Sequence, residues 1–275
     1  MTRIRLLSTD LNGTLIHSST MLEMILVGFP EEPRRYETAS RAFALHEDGK
    51  LSIEDTFRIA GEQTRDLPLG VAIDYALNRM TFVDGYSDFI AFLKQHQLQI
   101  AIVSTGYSVT LYAMRYADAR YKFNSNFNRL IFSVENGQEV PEHELEILVR
   151  RYIENSASRN DKIFSNTRAT GEVVLGIRDE GDKARTALAM AQIFGIAPSQ
   201  TMHMGDTMGD SMGILGVAKA GGLGIAFNYN HSLEAFLRSE GKREIDAGHI
   251  ALIDPKGPKS DLRNVLPYLE TLGRR

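Results

Sequence analysis

One stretch decides the fold that the sequence predicts: Asp10-Leu11-Asn12-Gly13-Thr14-Leu15, directly behind the largely apolar residues 4–7. The apolar run predicts a buried first strand that ends next to Asp10, at the carboxyl end where open α/β sheets place their chemistry. The Asn-Gly pair favours a sharp turn that leaves the carboxylate at the edge of a crevice. Because an Asn-Gly turn after a strand is common, the functional interpretation depends on three later segments.

Short apolar runs bounded by turn residues recur along the chain. They predict strands at 4–8, 99–104, 129–134, 201–205 and 223–227, with a further edge strand at 249–253. Several runs are apolar throughout, which is typical of strands buried on both faces of a parallel sheet. Segments with helical spacing lie between them. Strands that alternate with helices predict an α/β fold.

Two insertions interrupt this alternation. The segment 16–82, called the cap below, predicts helices at 21–27, 34–46, 52–64 and 69–80, the third starting at an acidic capping box of Ser52 and Asp55. A helical block beside Asp10 indicates a lid rather than a plain structural insertion, because loops at that edge of a sheet shape specificity. The predicted division is an α/β core at 1–15 and 83–275 and a cap at 16–82. Within the core, an insertion at about 141–168 predicts one helix at 142–154 and a solvated loop at 155–161.

The bulk composition limits the function classes. Asp and Glu number 35 against 31 Lys and Arg, and the net charge of -4 disfavours a nucleic-acid partner. The absence of cysteine excludes disulfides, thiolate metal sites and a cysteine nucleophile. The N-terminus lacks the pattern of a signal sequence, and no apolar run approaches the length of a membrane span. We therefore expect a cytoplasmic protein with no membrane partner.

Two further carboxylates follow the predicted strand 201–205. Asp206 and Asp210 stand in the run Gly205-Asp206-Thr207-Met208-Gly209-Asp210. A single Asp in such a place more often caps the next helix. With Asp10 at the end of a neighbouring parallel strand, the set forms an oxygen-rich site suited to Mg²⁺.

Two segments offer groups that bind an anion. Ser104-Thr105-Gly106 ends the strand 99–104 and opens a helix predicted from Tyr107, so a hydroxyl and free backbone amides form a phosphate cradle. Lys183 begins another predicted helix, where its charge opposes the helix dipole unless an anionic ligand compensates. Each segment alone is as well explained by an ordinary helix cap or an exposed lysine.

Taken in chain order, Asp-x-Asn-Gly-Thr, Ser-Thr-Gly, Lys and Gly-Asp-x-x-x-Asp resemble the haloacid dehalogenase superfamily of aspartate-nucleophile phosphatases over nearly the whole chain. Within it, the phosphoserine phosphatase group also has a helical cap between the first two motifs, and residues 49–55, 128–131 and 220–228 are similar to that group. The resemblance implies a three-layer Rossmann-like α/β core with a parallel sheet and a small, movable helical cap.

The resemblance also implies roles for the site residues. The phosphoryl group of a small phosphorylated metabolite is transferred to Asp10, and water then hydrolyses the aspartyl-phosphate. Ser104 and Lys183 hold the phosphate, beside Thr105 and Gly106 in the same motif. Mg²⁺ is bound by the Asp10 carboxylate, the Asn12 backbone carbonyl and Asp206, with Asp210 in the outer shell or on Lys183.

The chain departs from the family at Asn12, where the phosphatases usually have the aspartate that acts as general acid and base. An amide can do neither, and the loss is worth about 10²- to 10⁴-fold for alkyl phosphates. Three explanations stay open. The substrate has a good leaving group, as in acyl or aryl phosphates; the residue is an introduced, inactivating substitution; or the protein binds phospho-ligands without turnover.

Specificity for phosphoserine is also disfavoured. Ser19 and Ala60 stand where that group has the cap Glu and Arg that bind the substrate amino and carboxyl groups, and Arg58, half a helical turn away, is the candidate substrate-binding residue. Gly209 replaces an Asn of the last motif, and Thr105 replaces a Gly of the second.

Three functional hypotheses follow. The first is a Mg²⁺-dependent phosphomonoester hydrolase of a small metabolite that uses Asp10. The second is a catalytically impaired, phospho-ligand-binding or regulatory protein, favoured by Asn12. The third is a hydrolytic dehalogenase, which needs no metal and is therefore disfavoured by Asp206 and Asp210.

Overall fold

The computed structural model describes residues 3–47, 50–117 and 123–270. Within these ranges the strands are β1 (Leu6–Thr9), β2 (Gln99–Tyr107), β3 (Asn124–Ser133), β4 (Arg168–Val174), β5 (Thr201–Gly205), β6 (Leu223–Tyr229) and β7 (Ile250–Pro255). The helices are α1 (Thr20–Gly28), α2 (Pro33–Glu47), α3 (Ile53–Glu62), α4 (Leu69–Asn78), α5 (Tyr86–Gln95), α6 (Ser108–Ala117), α7 (Glu142–Glu154), α8 (Lys162–Asn166), α9 (Gly181–Ile193), α10 (Ser211–Lys219), α11 (His231–Glu240), α12 (Lys242–Asp246) and α13 (Leu266–Glu270). Short 3₁₀ helices lie at Ser156–Asn160, Pro198–Gln200, Met208–Asp210 and Leu262–Val265.

The strands form one sheet in the order β4-β3-β2-β1-β5-β6-β7. Every neighbouring pair is parallel except β3 and β4, which are antiparallel. The chain runs from β1 outward through β2 to β3 and then returns to the other side of β1 with β5. This reversal of strand order places a crevice at the carboxyl ends of β1, β2 and β5, where open α/β sheets bind ligands.

Alternate residues of the central strands belong to different hydrophobic clusters, so both faces of the sheet are buried. Leu7 packs in a cluster with Phe89 of α5, whereas Leu6 packs in a cluster with Ala191 of α9. On the β6–β7 side, a further cluster includes Ile214 of α10 and residues of α11. Helices on both faces of a mostly parallel sheet confirm the predicted three-layer α/β architecture.

The segment between β1 and α5 is helical, as predicted. It contains α1 to α4, each within a few residues of the bounds predicted at 21–27, 34–46, 52–64 and 69–80. Ser52 caps α3, because its Oγ accepts a hydrogen bond from the backbone N–H of Asp55 at 3.0 Å. The division of the segment 16–82 from the core as a separate cap domain stays a prediction.

The cap shares its hydrophobic core with one side of the α/β core. Phe57 of α3 and Ile73 of α4 belong to the same cluster as Tyr107 of β2, Leu130 of β3 and Leu145 of α7. The helices are therefore packed against the β3–β4 end of the sheet.

Three local expectations are corrected. β4 was not predicted, because Arg168–Val174 contains no continuous apolar run and is an antiparallel strand at the sheet edge. β2 continues to Tyr107 and the helix begins at Ser108, so the helix start predicted at Tyr107 is one residue early. The loop predicted at 155–161 contains the 3₁₀ helix Ser156–Asn160, which Asn155 caps by accepting from the N–H of Ala157 at 3.2 Å.

Among the described residues, no helix combines the length and the apolar character that crossing a bilayer requires. The cytoplasmic location stays a prediction.

Candidate active site

The sheet brings the predicted site residues together at one edge. Asp10 directly follows β1, Asp206 directly follows β5, and Ser104 lies in β2. These strands are neighbours and parallel, so their carboxyl ends meet. Lys183 reaches the same place from the first turn of α9.

Lys183 is a buried cation held between two buried carboxylates. Its Nζ lies 3.2 Å from Oδ1 of Asp10 and 2.5 Å from Oδ1 of Asp210. The side chains of Lys183 and Asp210 are 3% and 0% exposed, which puts the pair out of reach of solvent screening. The other oxygen of Asp210 accepts from the backbone N–H groups of Asp206 and Thr207. Asp210 is thus fully used in holding Lys183 and the loop after β5.

The carboxylates outnumber the cation, and their pKa values reflect this. Burial, together with the charges of Asp210 and Asp10, raises the pKa of Asp206 well above its usual value. Burial also raises the pKa of Asp10, although Lys183 opposes the change. Burial alone would raise the pKa of Asp210, but Lys183 and His203 hold it below its usual range.

The three carboxylates fit a divalent cation. Asp10, Asp206 and Asp210 offer oxygens that all lie within 4.8 Å of one another. Oδ1 of Asp10 is buried, and the cation that faces it, Lys183, is shared with Asp210. Hard oxygen ligands with an uncompensated negative charge are what Mg²⁺ prefers. Of the three, Asp10 and Asp206 are the better ligands, because both oxygens of Asp210 are already bonded.

Asn12 lies beside Asp10 and contacts the cap. Its Oδ1 accepts from the backbone N–H of Thr20 at 2.9 Å and from the Thr20 hydroxyl at 3.0 Å. Its Nδ2 is buried without a hydrogen-bond partner. The role of the Asn12 backbone carbonyl as a metal ligand stays a prediction.

The Ser104-Thr105-Gly106 segment lies at the site, but in strand β2 rather than at a helix start. Ser104 Oγ accepts from the backbone N–H of Gly106 at 3.1 Å, so that amide is not free as expected. Thr105 lines the cavity described below, and its carbonyl accepts from Nδ2 of Asn128 at 3.1 Å. The buried Asn128 also accepts from the backbone N–H of Ile177 at 3.2 Å, which ties β2 to the loop before Lys183.

A cavity of about 870 Å³ opens between this edge of the sheet and the cap. Asp10, Asn12, Lys183 and Asp206 line its floor. The cap contributes apolar and weakly polar side chains: His17, Ser18, Ser19, Met21, Leu22, Phe43, His46, Ile53 and Phe57. Residues of the predicted cap therefore line the same cavity as Asp10 and Lys183, and the role of the cap as a lid stays a prediction.

Arg58 is placed elsewhere. Its side chain is 70% exposed, pairs with Asp55 at 2.8 Å, and is not among the described residues that line the cavity. Helix α3 instead presents Phe57 to the cavity, and Arg58, one residue further on, points away. Ser19 lines the cavity, whereas Ala60 is buried in a cluster with Ile25 and Ala39.

Four residues that sequence reasoning gave no role support the site. Thr14 donates a hydrogen bond to Asp206 Oδ1 at 3.1 Å, and Asn228 donates to the carbonyl of Gly13 at 2.5 Å. His203 is buried below Asp210 and bonds Ser8 through Nδ1 at 2.9 Å. Lys256 lines the cavity mouth just after β7, and its positive charge partly opposes the rise in the pKa of Asp206. Lys256 follows a parallel strand, so strand-end placement was the signal that pointed to it.

Comparison with solved structures shows the fold. A substrate-bound phosphoserine phosphatase complex is 21% identical with a TM-score of 0.67, and the match covers 98% of this chain and 100% of that one. A phospho-aspartyl intermediate analogue of phosphoserine phosphatase is also 21% identical, with a TM-score of 0.66 and the same coverage. A HAD family hydrolase from Salmonella enterica serovar Typhi is 18% identical with a TM-score of 0.61, covering 85% of this chain and 66% of that one.

No protein-family model and no curated protein sequence matches the chain. The structural matches show that the chain shares its fold with phosphoserine phosphatases and with a HAD family hydrolase, and they confirm the predicted resemblance at the level of the fold.

Proposed function

We propose that the protein is a Mg²⁺-dependent phosphomonoester hydrolase that forms an aspartyl-phosphate on Asp10. The observation that carries the proposal is the buried Asp10 carboxylate at the floor of the cavity, with its Oδ1 paired to a buried cation. Lys183 lies 3.2 Å from that oxygen and offsets part of the negative charge. An activated carboxylate beside a fixed cation is suited to nucleophilic attack on phosphorus.

The donor set fits a metal ion. Asp10 and Asp206 would bind Mg²⁺, which when bound supplies charge neutralisation for the phosphoryl group during transfer. Thr14 holds the Asp206 carboxylate by its hydrogen bond of 3.1 Å, and Gly13 leaves room for that carboxylate. A dehalogenase needs no such cation, so the surplus of carboxylates favours phosphoryl chemistry.

The chain's own residues account for binding and orientation. Lys183, fixed by Asp210, provides the cation for the non-bridging phosphate oxygens, and Ser104 and Thr105 provide hydroxyl donors from β2. The cavity of about 870 Å³ is within the range of roughly 300–1,000 Å³ that small-molecule sites occupy. We therefore propose a small phosphorylated metabolite as the substrate.

The comparisons support this proposal. One similar structure is a phospho-aspartyl intermediate analogue and another is a substrate-bound complex, both of phosphoserine phosphatase. Transferred to this chain, the first corresponds to the proposed aspartyl-phosphate on Asp10. The cap of this chain lines the cavity with apolar residues, so we propose the same reaction on a different substrate.

The test is phosphate release from an aryl phosphate and a panel of phosphorylated metabolites, with Mg²⁺ and then with chelator. We expect metal-dependent release by the wild-type protein and none by Asp10→Asn. The matched control is Asp88→Asn, whose side chain is 65% exposed away from the cavity and which should behave as wild type. Ligand-induced thermal stabilisation without release from any substrate would instead support the binding-only alternative.

A further inference from the structure

The orientation of the Asn12 amide is fixed by its neighbours. Oδ1 accepts from the Thr20 backbone N–H at 2.9 Å, and a backbone N–H can only donate. The Thr20 hydroxyl donates to the same oxygen at 3.0 Å. A flipped amide would set two donors against each other, so Nδ2 must be on the side away from Thr20.

That nitrogen is an unpaired donor in the catalytic cavity. Nδ2 of Asn12 is buried and has no hydrogen-bond partner, and Asn12 lines the cavity together with Asp10. A Cβ on Gly106 would lie 3.4 Å from Nδ2 and 3.4 Å from Ser104 Oγ, so these two groups converge on the same small space. A buried donor without a partner is costly, and a ligand oxygen in this space removes the cost.

The opposite wall of the cavity suits a flat apolar group. Phe43 and Phe57 form an edge-to-face pair with ring centroids 5.6 Å apart, and Met21 and Leu22 extend the same surface. Apart from the residues of the floor, the charged residues that line the cavity are exposed at its mouth: Arg178, Asp179, Glu180 and Lys256. The cap wall thus offers aromatic contacts to the body of a ligand and no buried charge for an amino or carboxyl group.

We propose that the substrates are aryl phosphates, whose weakly basic leaving oxygen accepts a hydrogen bond from Asn12 Nδ2 and leaves without being protonated. This inference rests on the proposed function and narrows its substrate class. The phosphate lies over Asp10, Lys183 and Ser104, and the aromatic ring faces Phe43.

The step balances without a proton donor. A bond forms between phosphorus and an Asp10 carboxylate oxygen while the bond from phosphorus to the aryl oxygen breaks, and the electron pair leaves with that oxygen. The aryloxide, stabilised by Nδ2 of Asn12, takes its proton from water after release. Water then adds across the bond between phosphorus and the Asp10 oxygen, which restores the carboxylate and yields inorganic phosphate.

The test is a leaving-group series with wild-type protein and Mg²⁺: p-nitrophenyl, phenyl and benzyl phosphate, and phosphoserine. We expect kcat/KM to fall steeply as leaving-group pKa rises, with aryl esters exceeding alkyl esters by about 10²- to 10⁴-fold, the usual value of general acid assistance. Asn12→Asp keeps an acceptor for both Thr20 donors and adds a proton donor in place of Nδ2, so it should reduce this ratio at least tenfold. Asn136→Asp is the control, since it is the same substitution at an exposed residue that does not line the cavity, keeps the acceptor for the Gln138 N–H, and should leave the slope as in wild type.

Two results overturn the inference and can be told apart. Release from aryl and alkyl esters at similar kcat/KM would show that a proton donor reaches the leaving oxygen, His17 and His46 of the cavity wall being the candidates, while the proposed phosphatase function stands. No release from any ester, the p-nitrophenyl ester included, overturns the inference and the proposed function together.

Discussion

A comparison of Gly13→Ala with Gly137→Ala should distinguish the effect of backbone strain from the effect of displacing the Asp206 carboxylate. Gly13 has a φ of +75°, and an added Cβ would lie 2.0 Å from Asp206 Oδ2, where 3.4 Å is an ordinary contact. The Cβ is rigid, so the carboxylate must retreat by roughly 1 Å or more, a displacement that can cost about 10²-fold in rate. The hydrogen bond of 3.1 Å from Thr14 to Asp206 would be lost or stretched at the same time.

The strain itself is worth about 1–2 kcal/mol, the cost of a left-handed backbone for an L-residue. Gly137 provides the matched control, because its φ is +81° and an added Cβ would have no heavy atom within 4 Å. Gly137→Ala should therefore lose about 1–2 kcal/mol of unfolding free energy and keep its activity. Gly13→Ala should lose at least as much stability and, in addition, about 10²-fold in kcat/KM.

The assays are urea unfolding and phosphate release at saturating Mg²⁺, together with the thermal stabilisation that Mg²⁺ gives each variant. Gly13→Ala should be stabilised less by Mg²⁺ than Gly137→Ala, because one ligand is displaced. If folded Gly13→Ala keeps kcat/KM within threefold of Gly137→Ala, the position of the Asp206 carboxylate is not critical and the reasoning is refuted.

Three further predictions concern charge. Lys183→Met should abolish activity and, by leaving buried carboxylates unpaired, cost about 3–5 kcal/mol in urea unfolding. Arg185→Ala on the same helix is the control: its side chain is 61% exposed and its ion pairs are screened by solvent, so it should change stability far less. Because the pKa of Asp206 is raised, Mg²⁺ must displace a proton from that carboxyl group when it binds. The apparent affinity for Mg²⁺, measured by thermal shift, should therefore increase as the pH rises from the ordinary pKa of 3.8 through the raised pKa of Asp206. An affinity for Mg²⁺ that does not change with pH would contradict this. Arg58→Ala should leave KM unchanged, since Arg58 does not reach the cavity, and a several-fold rise in KM would show that it does.

The strands that carry the chemistry were predictable because they are buried on both faces. β5, whose five residues are all buried, has the bounds predicted from its apolar run. β4 was missed for the opposite reason: its residues are partly exposed at an edge, and only pairing with β3 makes them a strand. Hydrophobic periodicity in a sequence reflects which residues are buried, so a partly exposed edge strand of mixed composition is hard to recognise from the sequence.

The site divides in a similar way. Asp10, Asp206 and Lys183 were predictable because strand ends and helix starts converge at one sheet edge. Tertiary contacts were not: Thr14 and Asn228 act through hydrogen bonds across 192 and 215 residues of chain. Arg58 lies outside the cavity because helical phase decides which of two adjacent side chains faces it, and here that side chain is Phe57.

The packing of the cap bears on how a ligand enters. Phe57 and Ile73 are fully or almost fully buried in one cluster with Tyr107 and Leu130. Burial of each such side chain is worth about 1.5–3 kcal/mol, so lifting the cap as a rigid body would cost a large part of the stability of an ordinary domain. Entry through the mouth, where exposed Lys256 and its charged neighbours lie, needs no such separation.

The bond from Thr20 to Asn12 then has a second consequence, because any local opening of α1 would release the amide that faces the leaving group. The position of α1 in the cap therefore affects the stabilisation of the leaving group through the hydrogen bonds between Thr20 and Asn12.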